Sequence, residues 1–181
     1  MYKRQVRDLD REIAQPFVDG GARFAESPRE MAEQCDLVIT CLPSPGASAA
    51  VMEAEDGLLA GFGSGKIWAE MSTTDEAEVK RLGAKVIETG ASPVDCPVSG
   101  GCHRAATGNI AIFAGCDRDV FERMLPVLTT LGRRVLHTGE LGSASVLKVL
   151  TNYLATANLI TCAEALVTAK AAGIDLNTTY E

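Results

Sequence analysis

The chain has 181 residues, 46% hydrophobic and 23% charged, with 17 Lys and Arg against 24 Asp and Glu for a net charge of −7. That is a globular composition with enough apolar residues for a full core, and its acidic balance argues against a nucleic-acid partner, which needs clustered Lys and Arg to displace counterions. Nowhere do about 18 apolar residues run together, so no membrane span is expected, and Met1-Tyr2-Lys3-Arg4-Gln5 lacks the apolar stretch of a secretory signal.

These first five residues read as foreign to the rest of the chain, and 1–5 are set apart as a non-native leader. Residues 6–10 suggest the end of a strand, followed by a helix to Val18, a turn at Gly20-Gly21 and a short strand over 22–25. Ser27 can cap a helix with Pro28 at its favoured first position, running to Gln34. The near-continuous apolar run Asp36-Leu37-Val38-Ile39-Thr40-Cys41-Leu42, closed by Pro43, predicts a strand buried on both faces. A helix over 47–59, a strand over 66–71 and a helix over 75–88 continue the alternation. A strand from Val94 then runs into Pro97-Val98-Ser99-Gly100-Gly101. Strands over 109–114 and 133–138 flank a helix patterned by Val120, Met124, Leu125, Leu128 and Leu131, with a kink expected at Pro126 and a stop at Gly132. Alternation of this kind predicts an open α/β sheet, mainly parallel in its first half.

The segment 143–172 differs. Its only charges are Lys148, Glu164 and Lys170, and as a helix it would extend roughly 45 Å. It is too long to cover a sheet and too polar, at Thr151, Asn152, Thr156, Asn158 and Thr161, to span a membrane; it reads as the spine of a second, helical domain. Residues 173–181 add a turn, a cap and the start of another helix, so the chain reads as stopping inside that domain. The six cysteines form no C-x-x-C pair and mostly sit in apolar runs, which predicts reduced thiols, no metal site and a cytoplasmic protein.

Lys148 is the residue that needs a purpose. Asn152 lies one turn on, along a stripe of small and polar residues (Ala144, Ser145, Thr151, Ala155, Thr156), and a lone lysine there is expensive to bury. Desolvation would lower its pKa and suit it to proton transfer; snorkelling to solvent is the plain alternative. In Asp95-Cys96-Pro97-Val98-Ser99-Gly100-Gly101 a serine followed by two glycines after a strand lets backbone N–H groups approach an anion, or else makes an ordinary tight loop. Leu42-Pro43 and Ser72-Thr73 stand where strands end, which is where ligands bind parallel sheets, though Ser72 or Thr73 could equally cap a helix. His103 and Arg104 read as a solvated pair.

In this order the segments resemble the β-hydroxyacid dehydrogenase family, the relatives of 3-hydroxyisobutyrate dehydrogenase and tartronate semialdehyde reductase. The likeness runs from Val6 to Glu181 and is strongest at 95–101, which looks like the family's substrate-binding motif, and from Gly142 through Lys148 to Asn152, which looks like its catalytic one. The resemblance implies a truncated Rossmann-type domain binding NAD or NADP over 6–142 and the truncated start of an all-α domain over 143–181. It implies an oxidoreductase of small 3-hydroxy acids or their semialdehydes, with Lys148 exchanging a proton with the substrate hydroxyl and Asn152 holding that hydroxyl or the lysine. Ser99, Gly100 and Gly101 would bind the substrate carboxylate. Leu42, Pro43 and Thr73 would line the cofactor, and Asp8 would bind the adenosine ribose and favour NAD.

Ala144 and Thr151 depart from the family's usual Gly and Asn. The family's first strand, its G-x-G-x-x-G loop and its distal helical domain have no counterpart here, and that domain is expected to carry a homo-oligomer interface. The encoded whole is therefore expected to be an enzyme, and the 181-residue piece by itself an inactive one. The alternatives are a phosphogluconate-dehydrogenase-like enzyme and a non-catalytic scaffold or reader that keeps the fold.

Overall fold

A computed structural model describes residues 4–181. The first unit is small: β1 (Gln5–Val6), α1 (Arg11–Asp19) and β2 (Arg23–Phe24), the two strands parallel with Gln5 opposite Arg23. Asp10 caps α1 by accepting from the Glu12 N–H, and Ser27 caps α2 (Pro28–Gln34) by accepting from the Glu30 N–H, with Pro28 in the first turn as the sequence predicts. Residues 1–3 of the expected leader lie outside the described residues. Gln5 is a strand residue, and the Arg4 carbonyl accepts the Arg23 N–H at 3.0 Å, so the backbone from Arg4 onward takes part in this sheet.

The second unit is a six-stranded sheet. Its parallel half is β3 (Leu37–Thr40), β4 (Ile67–Glu70) and β5 (Ser92–Asp95), connected by α3 (Pro45–Glu53) and α4 (Glu76–Glu88). Then come β6 (Val98–Ser99), α5 (Cys102–Ala106), β7 (Ala111–Gly115), α6 (Arg118–Leu131) and β8 (Arg134–Gly139). β8 lies parallel on one edge of β7, while antiparallel β5 and β6 share the other, which curls the sheet at this end. The sheet packs a core on each side. Ile67, Ala69, Val94, Ile112, Met124 and Leu128 fill one, and Trp68, Met52, Leu58, Leu82 and Val86 the other. Ile67 and Trp68 point opposite ways, as consecutive strand residues must.

Three expectations need correction. β3 is not buried on both faces: among the described residues it pairs only with β4, since β1 and β2 form a sheet of their own, and Ile39 is 39% exposed. The helix expected over 47–59 starts earlier, at Pro45 behind the Ser44 cap, and ends at Glu53. A separate 3-10 turn, Leu58–Ala60, follows Gly57, where any Cβ would fall 2.6 Å from the Met52 carbonyl. The short helix α5 was not expected at all.

From β8 the chain turns at Gly142, whose φ of 92° suits glycine, into α7 (Ser143–Ala171), a helix of 29 residues, and then α8 (Leu176–Tyr180). Only Ala144 and Ser145 of α7 are buried. By length and composition alone α7 is long and apolar enough to cross a membrane, contrary to the expectation from its polar residues.

Candidate active site

The parallel strands all end toward one set of loops. After β3 the chain runs through Cys41 to Leu42 and Pro43, and after β4 through Met71 to Ser72 and Thr73. The Ser72 hydroxyl accepts the Leu42 N–H at 2.7 Å, so the two loops that hold Leu42, Pro43 and Thr73 are tied side by side. Ser72 is not a helix cap. Asp75 fills that role for α4 by accepting from the Glu78 N–H, which leaves Ser72 free for the cross-strand bond and Thr73 exposed. Ser72 also donates its own N–H to Glu70 Oε1 at 2.8 Å.

After β5 the chain passes Cys96 and Pro97 into β6, where Ser99 pairs with Ala111. Gly100 and Gly101 come next, with φ of 140° and 82°, backbone that an L side chain rarely adopts. At Gly100 a Cβ would also fall 3.0 Å from Arg104 Cδ. Glycine is therefore required here by conformation, and it leaves the backbone of the loop accessible. His103 and Arg104 lie in the exposed α5 just beyond.

α7 begins against this region. Asp95, at the end of β5, accepts both the N–H and the hydroxyl of Ser145, each at 2.7 Å. Lys148 is three residues further along the helix. Its side chain is partly buried and forms no ion pair among the described residues, and the burial holds its amine below the usual lysine range. Asn152 is exposed one turn on, and Thr151 turns its hydroxyl back to the Lys148 carbonyl at 2.8 Å. Asp8 stands apart, in the loop that follows β1. It is exposed and accepts the Asp10 N–H at 2.9 Å. The neighbouring Arg7 is committed to the carbonyls of Ala25 and Glu26, and Arg11 to the Glu26 carboxylate.

The structure thus joins Leu42 and Pro43 to Thr73 through Ser72, and the Ser99–Gly100–Gly101 loop to the Lys148 helix through Asp95 and Ser145. Sequence reasoning offered Ser72 as a strand-end ligand residue or a cap, not as the tie between two loops, and it assigned no role to Ser145 or Glu70. Glu70 is 1% exposed, with Oε2 unpartnered among the described residues, beside the equally buried Asp95 in the next strand. A carboxylate at the last position of an otherwise apolar strand was the available signal. Cys96 is buried, whereas Cys102 and His103 are exposed.

An α/β sheet whose parallel strands end in tied loops at one end, followed by a long helix, has the dinucleotide-binding type of architecture. Residues 2–139 match the family described as the NAD binding domain of 6-phosphogluconate dehydrogenase, and the chain belongs to that family. The 2-(hydroxymethyl)glutarate dehydrogenase of Eubacterium barkeri is 32% identical over 174 residues, 96% of this chain and 58% of the relative. The NAD-dependent L-serine dehydrogenase of Pseudomonas aeruginosa is also 32% identical over 174 residues, with the same 96% and 58% coverage. The solved structure of Mycobacterium tuberculosis 3-hydroxyisobutyrate dehydrogenase with L-serine superimposes with a TM-score of 0.87 at 27% identity, over 93% of this chain and 57% of that one. The chain therefore spans a little under three-fifths of the length of these relatives.

Proposed function

We propose that the protein is an NAD(P)-dependent oxidoreductase of small 3-hydroxy acids or their semialdehydes. The observation that carries this reading is Lys148: a partly buried amine without an ion-pair partner among the described residues, on a helix clasped to the end of β5, four residues before the Ser99–Gly100–Gly101 loop. An amine held below the usual lysine range gives up its own proton more readily, and so is fit to take a proton from a hydroxyl and to return it in the reverse direction. Asn152, one turn along the helix, would hold the hydroxyl or the lysine, and Ser99 with the backbone at Gly100 and Gly101 would hold the carboxylate.

Bound NAD(P) supplies the hydride acceptor or donor. The exposed Pro43 and Thr73, with Leu42 between their tied loops, suit its nicotinamide half, and Asp8 suits the adenosine ribose. No G-x-G-x-x-G occurs in the 181 residues, so the pyrophosphate has no assigned residue here. The relatives' names support the substrate class, since serine and 2-(hydroxymethyl)glutarate both carry a hydroxymethyl group near a carboxylate. A cytoplasmic homo-oligomer completes the proposal, supported by six free cysteines and by the exposed apolar residues of α7.

The test is steady-state oxidation of 3-hydroxyisobutyrate, L-serine and 2-(hydroxymethyl)glutarate with NAD and NADP, by the protein at the length its gene encodes. Turnover of at least one acid is expected, with a rate that climbs with pH through an ionisation below the usual lysine range. A protein that binds cofactor yet oxidises none of these acids would overturn the reading.

A further inference from the structure

The candidate substrate loop and the candidate proton-transfer helix meet at a buried clasp for which the chemistry above has no use. Asp95 is fully buried, and both of its carboxylate oxygens are taken by one residue of α7. Oδ2 accepts the Ser145 N–H and Oδ1 the Ser145 hydroxyl, each at 2.7 Å, with Ser145 itself 1% exposed. Gly142, which flanks α7, offers no side-chain cap. Asp95, 50 residues earlier, instead satisfies an N–H of the first turn and sets negative charge at the positive end of the helix.

The position is an expensive one for a carboxylate. Burial pushes Asp95 up from the usual range, the Ser145 bonds pull it back, and the buried Glu70 opposite it on β4 adds to the rise. A buried charge is weak support for stability, and its better-attested use is to specify one geometry. The geometry specified here is short-range on both sides, because Ser99 is four residues beyond Asp95 and Lys148 three beyond Ser145.

We infer that Asp95 is a positioning residue, which by gripping Ser145 sets the first turn of α7, and Lys148 with it, against the loop at Ser99, Gly100 and Gly101. This rests on the roles proposed above for Lys148 and the loop, but it is testable without turnover. The protein at the length its gene encodes and its Asp95→Asn, Ser145→Ala and Ser145→Thr forms would be compared by amide hydrogen exchange. Lys148 would be titrated by competitive acetic anhydride labelling, with both measurements read by mass spectrometry.

In Asp95→Asn and Ser145→Ala, the amides of 146–150 should exchange tenfold faster or more while those of Ile67–Glu70 keep their rates. The Lys148 titration should rise toward that of an ordinary lysine, and Ser145→Thr, which keeps the hydroxyl, should restore both values. Should Asp95→Asn fail to fold, Ser145→Ala, which removes a single hydroxyl, carries the test. Unchanged exchange and titration in Ser145→Ala would overturn the inference, and so would a uniform acceleration of every core amide, which would make the clasp a plain stability element. Neither measurement involves cofactor or substrate, so this inference and the dehydrogenase reading can fail separately.

Discussion

Asp8 and the two arginines around it bear on which nicotinamide cofactor the protein prefers. A carboxylate two residues beyond β1 would accept bonds from free ribose hydroxyls and repel a 2′-phosphate. Arginine could reverse that preference, but Arg7 and Arg11 already donate to Ala25, Glu26 and the Glu26 carboxylate. NAD should therefore give the higher kcat/KM, and Asp8→Ala should narrow the gap between the cofactors about tenfold, the scale of one charge-assisted hydrogen bond. Steady-state kinetics with both cofactors measures this directly; a clear NADP preference in the unaltered protein would remove Asp8 from the ribose site.

At the scale of elements, the site depends on how closely the start of α7 approaches β7. Gly115 makes that approach possible: a Cβ there would fall 2.7 Å from the Glu140 carbonyl oxygen, 2.8 Å from Ser143 Oγ and 3.2 Å from the Ala144 N. Two of these are backbone atoms that cannot swing aside. Gly115→Ala should destabilise the protein by about 1–3 kcal/mol, the range for overpacking, and urea unfolding should show it; a loss within experimental error would mean that the turn into α7 yields freely.

Much of this layout was legible in the sequence, because local chemistry and tertiary structure agree there. Ser27-Pro28 begins α2 and Gly132 stops α6, each through a cap or a breaker that works without distant partners. The misses are of another kind. The open edge of β3 depends on which strand lies beside it, which hydrophobic periodicity does not encode. α5 is too short and too polar to show a helical period. Lys148, Asn152 and the Ser99–Gly100–Gly101 loop stood out by residue type and spacing. The bonds that connect their elements, Asp95 to Ser145 and Ser72 to Leu42, are 50 and 30 residues apart and could be found only in three dimensions.

The whole molecule presents two kinds of unsatisfied surface. Among the described residues β1 pairs only with β2 and β3 only with β4, which leaves backbone donors and acceptors along both outer edges. Beyond its first turn α7 exposes a long apolar face, with Tyr153 69% and Leu159 71% exposed. Surfaces of this type drive association, so the isolated 181-residue chain should self-associate at micromolar concentration. Sedimentation velocity across a dilution series is the check, and a single monomeric species throughout would show that these edges and this face are inert.

The central claim is that Lys148 moves the proton in a nicotinamide-dependent oxidation, and one comparison tests it most directly. Hydroxy-acid oxidation by the protein at the length its gene encodes would be measured beside that of its Lys148→Ala form, at saturating cofactor and across pH. The expected result is a fall in kcat of about a hundredfold or more, the scale of a lost general base, with the KM for cofactor little changed and the rising limb of the pH profile gone. Turnover by Lys148→Ala at near the unaltered rate, with the same pH profile, would contradict it.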